Sequence, residues 1–99
     1  MIAIDENIDA IKSLCNRYNV ASLDVFGSVL TDKFNSDSDI DFLVRFKTIP
    51  IEDYADNYFA LQFALSELLT REIDLVELKS IRNPVFLDNV ERTKVKIYG

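Results

Sequence analysis

Ninety-nine residues, 48% of them hydrophobic and only four of them Gly or Pro, suit one folded domain spanning 1–99 and argue against disorder or low-complexity segments. A formal net charge of −6, with eleven scattered basic residues, disfavours a duplex nucleic acid partner, whose phosphates are held by clustered Lys and Arg. The absence of histidine removes His-based triads, His-containing zinc sites and imidazole proton shuttles together, and the single cysteine has no internal disulfide partner.

Residues 5–18 read as an amphipathic helix with Asp5 as N-cap: Ile8, Ile11, Leu14, Cys15 and Tyr18 recur at three- and four-residue spacing, so Cys15 is expected as a buried thiol. The acidic opening MIAIDENIDAIK lacks the basic and then apolar order of a secretory signal, and charge interrupts every apolar stretch before it could span a membrane. The expected setting is cytoplasmic. ASLDVFG, residues 21–27, reads as a strand with Leu23 and Val25 on one face and Gly27 at its turn. SVLTDKF reads as a short helix and loop, and NSDS breaks periodicity before a second strand over 39–46. Alternation places Ile40, Phe42, Val44 and Phe46 on a core face, with Asp39, Asp41, Leu43 and Arg45 opposite.

Residues 52–70 form the longest predicted helix, with Tyr54, Tyr58, Leu61, Leu65, Leu68 and Leu69 on the stripe that packs on the sheet. EIDLVEL, residues 72–78, is a third strand with Ile73 and Leu75 on one face and Asp74 and Val76 on the other. RNPVFLDNVERTK is a last helix with Asn83 as N-cap and Pro84 at its first position, and VKIYG is a short closing extension. The pattern implies an α/β (α+β) fold: a small mixed sheet of three to four strands with helices packed mainly on one face.

Asp39 and Asp41, two positions apart on a strand, lean into the same space with Cα atoms about 6 to 7 Å apart, a repulsive arrangement unless a cation separates them. Magnesium suits it, since that ion takes oxygen ligands, one or two protein carboxylates, and substrate phosphates. Asp74, polar within an apolar strand, converges on the same site if the two strands are neighbours. Gly27 lets the backbone approach a ligand, and Ser28 opens a helix whose free N–H groups attract phosphate. A metal seat beside a phosphate seat suits phosphoryl or nucleotidyl transfer. Each element also has a plain reading, SDSDID as a solvated strand start with Ser36 and Asp37 capping a turn. It is the combination that points to chemistry.

Gly27, Ser28, Asp39 and Asp41 fill a G-S-x10-D-x-D signature, and here the chain resembles the minimal nucleotidyltransferase family of the DNA polymerase beta nucleotidyltransferase superfamily. The similarity extends to VFG, IDFLV, REIDLVEL and the NP that opens the last helix. The resemblance implies a palm-like fold in which Asp39 and Asp41 hold two Mg²⁺ ions, Asp74 completes one metal shell and helps activate the acceptor hydroxyl, and Gly27 and Ser28 grip the triphosphate of ATP. It further implies an antitoxin that adds AMP to a tyrosine of a HEPN-type toxin. Departures are the Val29, Leu30, Thr31, Asp32 run after Gly-Ser, with Lys33 the first positive charge. Triphosphate binding is then expected to be weaker, or completed by Arg45, Arg71 or a partner's arginine.

On the long helix Phe59 and Phe63 lie about 130 to 180 degrees around from the core stripe. They are expected to face away from the sheet as a docking patch for a partner or a second copy, unless the chain's own ends fold over them. Three functions stay open: transfer to a protein hydroxyl, an antitoxin acting by occlusion alone, and a small-molecule adenylyltransferase. The last is disfavoured by the lack of an acceptor domain.

Overall fold

Period-two alternation around Leu23, Phe42 and Leu75 makes strands whose apolar faces need a common cover, and the stripe along residues 54–69 supplies it. In a computed structural model that describes residues 2–99, the elements run α1 (Ile2–Glu6), α2 (Ile8–Arg17), β1 (Val20–Phe26), a 3-10 turn (Gly27–Leu30), β2 (Ile40–Phe46), α3 (Ile51–Leu69), β3 (Ile73–Glu77), a second 3-10 turn (Leu78–Ser80), α4 (Pro84–Thr93) and β4 (Val95–Tyr98). The strands form one sheet in the order β3-β2-β1-β4. β1 pairs antiparallel with β2 and with β4, while β2 and β3 run parallel, joined by α3 as their crossover.

The main core lies on one face of this mixed sheet. Leu23, Val25, Ile40, Phe42, Val44 and Leu75 meet Ile11 and Cys15 of α2 and Leu61, Leu65 and Leu69 of α3, all buried. A smaller cluster lies on the opposite face, where Phe26, Leu43 and Val90 pack with Val76, Leu78 and Ile81. α4 therefore covers the acid-bearing face in part, and Leu43 is buried there beside the acids' side of β2. Asn83 caps α4 as its sequence announces: its side chain accepts from the backbone N–H of Val85 and of Phe86, and Pro84 follows at the first turn.

Three expectations are corrected. The predicted helix over 5–18 is two helices broken at Asn7, and Asp5 lies inside the first of them rather than capping the second. Ile4 is buried, so the apolar period extends upstream of residue 5 and carries the helical start with it. The helix expected from Ser28 is a four-residue 3-10 turn, too short to sum much dipole. VKIYG is a fourth strand, in which Ile97 is buried against the main core. No helix among the described residues is long and apolar enough to cross a membrane.

Burial pushes the Cys15 thiol up to about 12, so it stays protonated and unreactive at neutral pH. Leu65 is fully buried where α3 meets the sheet. Leu65→Ala is expected to cost roughly 2 to 5 kcal/mol, read as a lower urea midpoint at unchanged slope.

Candidate active site

The site is assembled by register. Phe26 of β1 stands opposite Asp41 of β2, and Asp41 stands opposite Asp74 of β3, so these three residues form one row across the acid-bearing face. The parallel pairing of β2 and β3 makes the carboxylates neighbours although they are far apart in sequence. They lie within hydrogen-bonding reach of each other. Gly27 ends β1 next to that row with φ +81. A Cβ there would collide with Asp41 Oδ2 and stand 3.2 Å from its Cγ, so glycine is required twice, by the backbone and by the carboxylate against it.

Two of the predicted residues sit differently. Asp39 precedes the first residue of β2 and is exposed, acting on Asp41 through its charge. Ser28 is half-buried in the 3-10 turn, where its carbonyl accepts from the Thr31 N–H at 2.9 Å and the Thr31 hydroxyl at 2.8 Å. A cleft of about 760 Å³ opens over the row, lined by Phe26, Gly27, Leu30, Thr31, Asp41 and Asp74, with α4 as its far wall. Gly27, Asp41 and Asp74 thus line the cleft, while Asp39 and Ser28 lie outside its walls. Among the described residues no three Asp, Glu, Cys or His side chains are already drawn together into a metal cage. The donors in place are an all-oxygen carboxylate pair.

The expected helpers for phosphate are placed elsewhere. Arg71 Nη1 donates to the carbonyls of Asn35 at 2.8 Å and Ser38 at 2.9 Å, and its guanidinium stacks over Phe34, 4.2 Å from the ring centroid. It staples the loop ahead of β2. Arg45 lies four residues along β2 from Asp41, about 13 Å away, beside a separate cleft. What sequence reasoning missed is the α4 wall. Phe86, Asn89, Val90 and Thr93 line the cleft and recur at three- and four-residue spacing, so the signal for this wall is a second helical face in the sequence of α4.

Burial, then the Asp74 charge, then the Asp39 charge, push the Asp41 carboxyl up to about 6. A family model described as polymerase beta, nucleotidyltransferase matches residues 9–99. The chain belongs to that family. A candidate protein adenylyltransferase of Methanocaldococcus jannaschii, MJ0128, is 36% identical over 86 residues, 87% of this chain and 85% of that protein. A solved structure described as a candidate minimal nucleotidyltransferase is 29% identical with a TM-score of 0.77, covering 93% of this chain and 90% of the other. A chain in the complex of a tri-AMPylated HEPN toxin of Shewanella oneidensis with an MNT antitoxin shares the fold at a TM-score of 0.65 and 22% identity, covering 96% of this chain and 71% of the other. The mixed sheet and its helices are thus a nucleotidyltransferase fold, and the chain is a nucleotidyltransferase by family.

The raised carboxyl has a consequence for the metal-free protein. An acid whose folded value lies above its unfolded one binds extra protons when folded, so stability falls as pH rises through the window between about 4 and about 6. With chelator present, the urea midpoint is expected to fall between pH 5 and pH 7. Asp41→Asn should flatten that dependence and raise stability at pH 7 by on the order of 1 kcal/mol, the Asp41 share after solvent screening. A variant with the parent's slope would contradict the assignment.

Proposed function

We propose that residues 1–99 act as one catalytic unit that moves AMP from ATP to a hydroxyl of a protein partner, a tyrosine of a HEPN-type toxin, and so serves as a cytoplasmic antitoxin. The observation that carries this reading is the Asp41–Asp74 pair set against Gly27 at the floor of an open cleft. Support also comes from the family, from a relative named for protein adenylylation, and from a fold neighbour bound to an AMPylated HEPN toxin.

The carboxylate pair fits magnesium. Its donors are all oxygen, they are held side by side at a cost in repulsion, and the few protein ligands leave room for phosphate oxygens and water. Asp41 and Asp74, joined by Asp39 from the edge, would hold two ions that supply charge neutralisation for the polyphosphate. The chain's own contribution is placement. Gly27 seats the Asp41 carboxylate close against the backbone at the cleft floor where phosphate would lie, with Ser28 and the Thr31 hydroxyl nearby. The acceptor oxygen forms its bond to the α-phosphorus as the bond to the leaving pyrophosphate breaks, and Asp74, exposed beside Asp41, takes the acceptor's proton. An open cleft in so small a chain admits an acceptor carried by another protein.

Phe59 and Phe63 are 61% and 66% exposed on α3 and line an open groove with Gln62, Ser66, Glu72 and Ile73, beside the edge strand β3. That pair is the proposed docking patch for the toxin. A second copy of the chain is the rival occupant.

The test is incubation of this chain with a HEPN-type partner, ATP and Mg²⁺, followed by intact mass. Mass increments of AMP size on the partner are expected, lost with Asp41→Asn by at least about 100-fold in rate. No increment while nucleotide binds would sink the transferase reading, and neutralisation of the toxin by Asp41→Asn would favour occlusion instead. Phe59→Asp with Phe63→Asp should weaken the toxin complex at least about ten-fold while leaving nucleotide affinity unchanged, measured by titration calorimetry. Loss of self-association in its place would assign the patch to a second copy.

A further inference from the structure

The cleft has two chemically different ends. Gly27, Asp41 and Asp74 form the polar one. The other is built on α4, whose Phe86, Asn89, Val90 and Thr93 stand across from Phe26 and Val76. Triphosphate belongs with the carboxylates and Gly27, so the sugar and base of a nucleotide seated there extend towards α4.

Phe86 is suited to meet a base. Its ring is anchored edge-on against Phe26, with centroids 6.1 Å apart at 67°, yet it remains 45% exposed. It is a fixed aromatic surface at the lip of a cleft, where it stays in water unless something flat covers it. Asn89, one turn further on, carries an amide with an unused donor. The Thr93 hydroxyl donates to the Asn89 backbone carbonyl at 2.8 Å and lies 3.4 Å from Oδ1, and no hydrogen bond among the described residues uses Nδ2. An amide matches the N6/N7 edge of adenine, a donor beside an acceptor, whereas the same edge of guanine offers two acceptors.

We propose that α4 is the base-reading wall of the cleft, with Phe86 stacking on the nucleobase and Asn89 selecting adenine over guanine. The inference rests on the transferase reading above and specifies its nucleotide. It assigns Phe86 and Asn89 to specificity, not to the chemical step.

The experiment is titration calorimetry of the full chain with ATP, GTP and inorganic tripolyphosphate in the presence of Mg²⁺. The parent is expected to prefer ATP over GTP by about ten-fold, Asn89→Ala to bring the ratio near one, and Asn89→Lys to tip it towards GTP, since Lys reads the O6/N7 edge of guanine. Phe86→Ala should lower ATP affinity about ten-fold and leave tripolyphosphate affinity unchanged, with Phe86→Tyr restoring ATP binding. Equal affinities of the parent for ATP and GTP, or a parallel loss of tripolyphosphate in Phe86→Ala, would overturn the inference, as would failure of the parent to bind ATP. Transfer of AMP by a chain that does not distinguish the bases would overturn this inference alone. Base selectivity without transfer would overturn only the transferase reading.

Discussion

The parallel pairing of β2 with β3 is the constraint on which the site depends. It sets Asp41 opposite Asp74, while the antiparallel pairing of β1 with β2 sets Phe26 opposite Asp41 and delivers Gly27 at the end of the row. A slip of one residue in either pairing would turn a carboxylate into the main core and an apolar residue into the cleft. Register is protected by burial. Ile40, Phe42 and Val44 alternate with the site-facing positions and are themselves locked under α3.

This geometry holds like charges together. Burial and the neighbouring acids disfavour ionisation of Asp41, so the metal-free fold works against its own site, and the surrounding packing must hold it in place. The cost is local. The main core on the other face is built of apolar side chains, with α2 and α3 covering it through Ile11, Cys15, Leu61, Leu65 and Leu69. One sheet thus separates a stabilising face from a working face, and α4 closes the working face only far enough to leave a cleft.

Much of this was legible in the sequence because each signal has a short-range cause. Period-two alternation placed β1, β2 and β3 within a residue or two, the leucine stripe placed α3, and Asn83-Pro84 marked the start of α4. The spacing of Gly27 to Asp41 identified a turn and a strand that must meet. What escaped has long-range causes. That Arg71 clasps the 35–38 loop depends on where the end of α3 lands, which no local pattern states. That VKIYG becomes a strand depends on a free edge of β1, and that the last helix walls the cleft depends on which face of the sheet it crosses. The break at Asn7 escaped because the apolar period runs on through it, from Ile4 to Ile8 and Ile11.

Asp74 poses a mechanical problem, because β3 is an edge strand with β2 on one side only. Edge strands fray and invite foreign strands unless their outward groups are occupied. Here α3 occupies two of the outward carbonyls. Gln62 Nε2 donates to the Ile73 carbonyl at 2.9 Å, and the Tyr58 hydroxyl donates to the Leu75 carbonyl. These two bonds bracket Asp74 on both sides and tie the carbonyls of the strand that carries it to α3. Tyr58 also meets the ring of Phe59 edge-on at 5.1 Å. The helix that fills the main core therefore also holds the outer carboxylate in register, and its exposed aromatic face begins one residue from that clamp. In a chain of this size one element has to carry packing, positioning and surface together, and α3 is long enough to present a separate side to each.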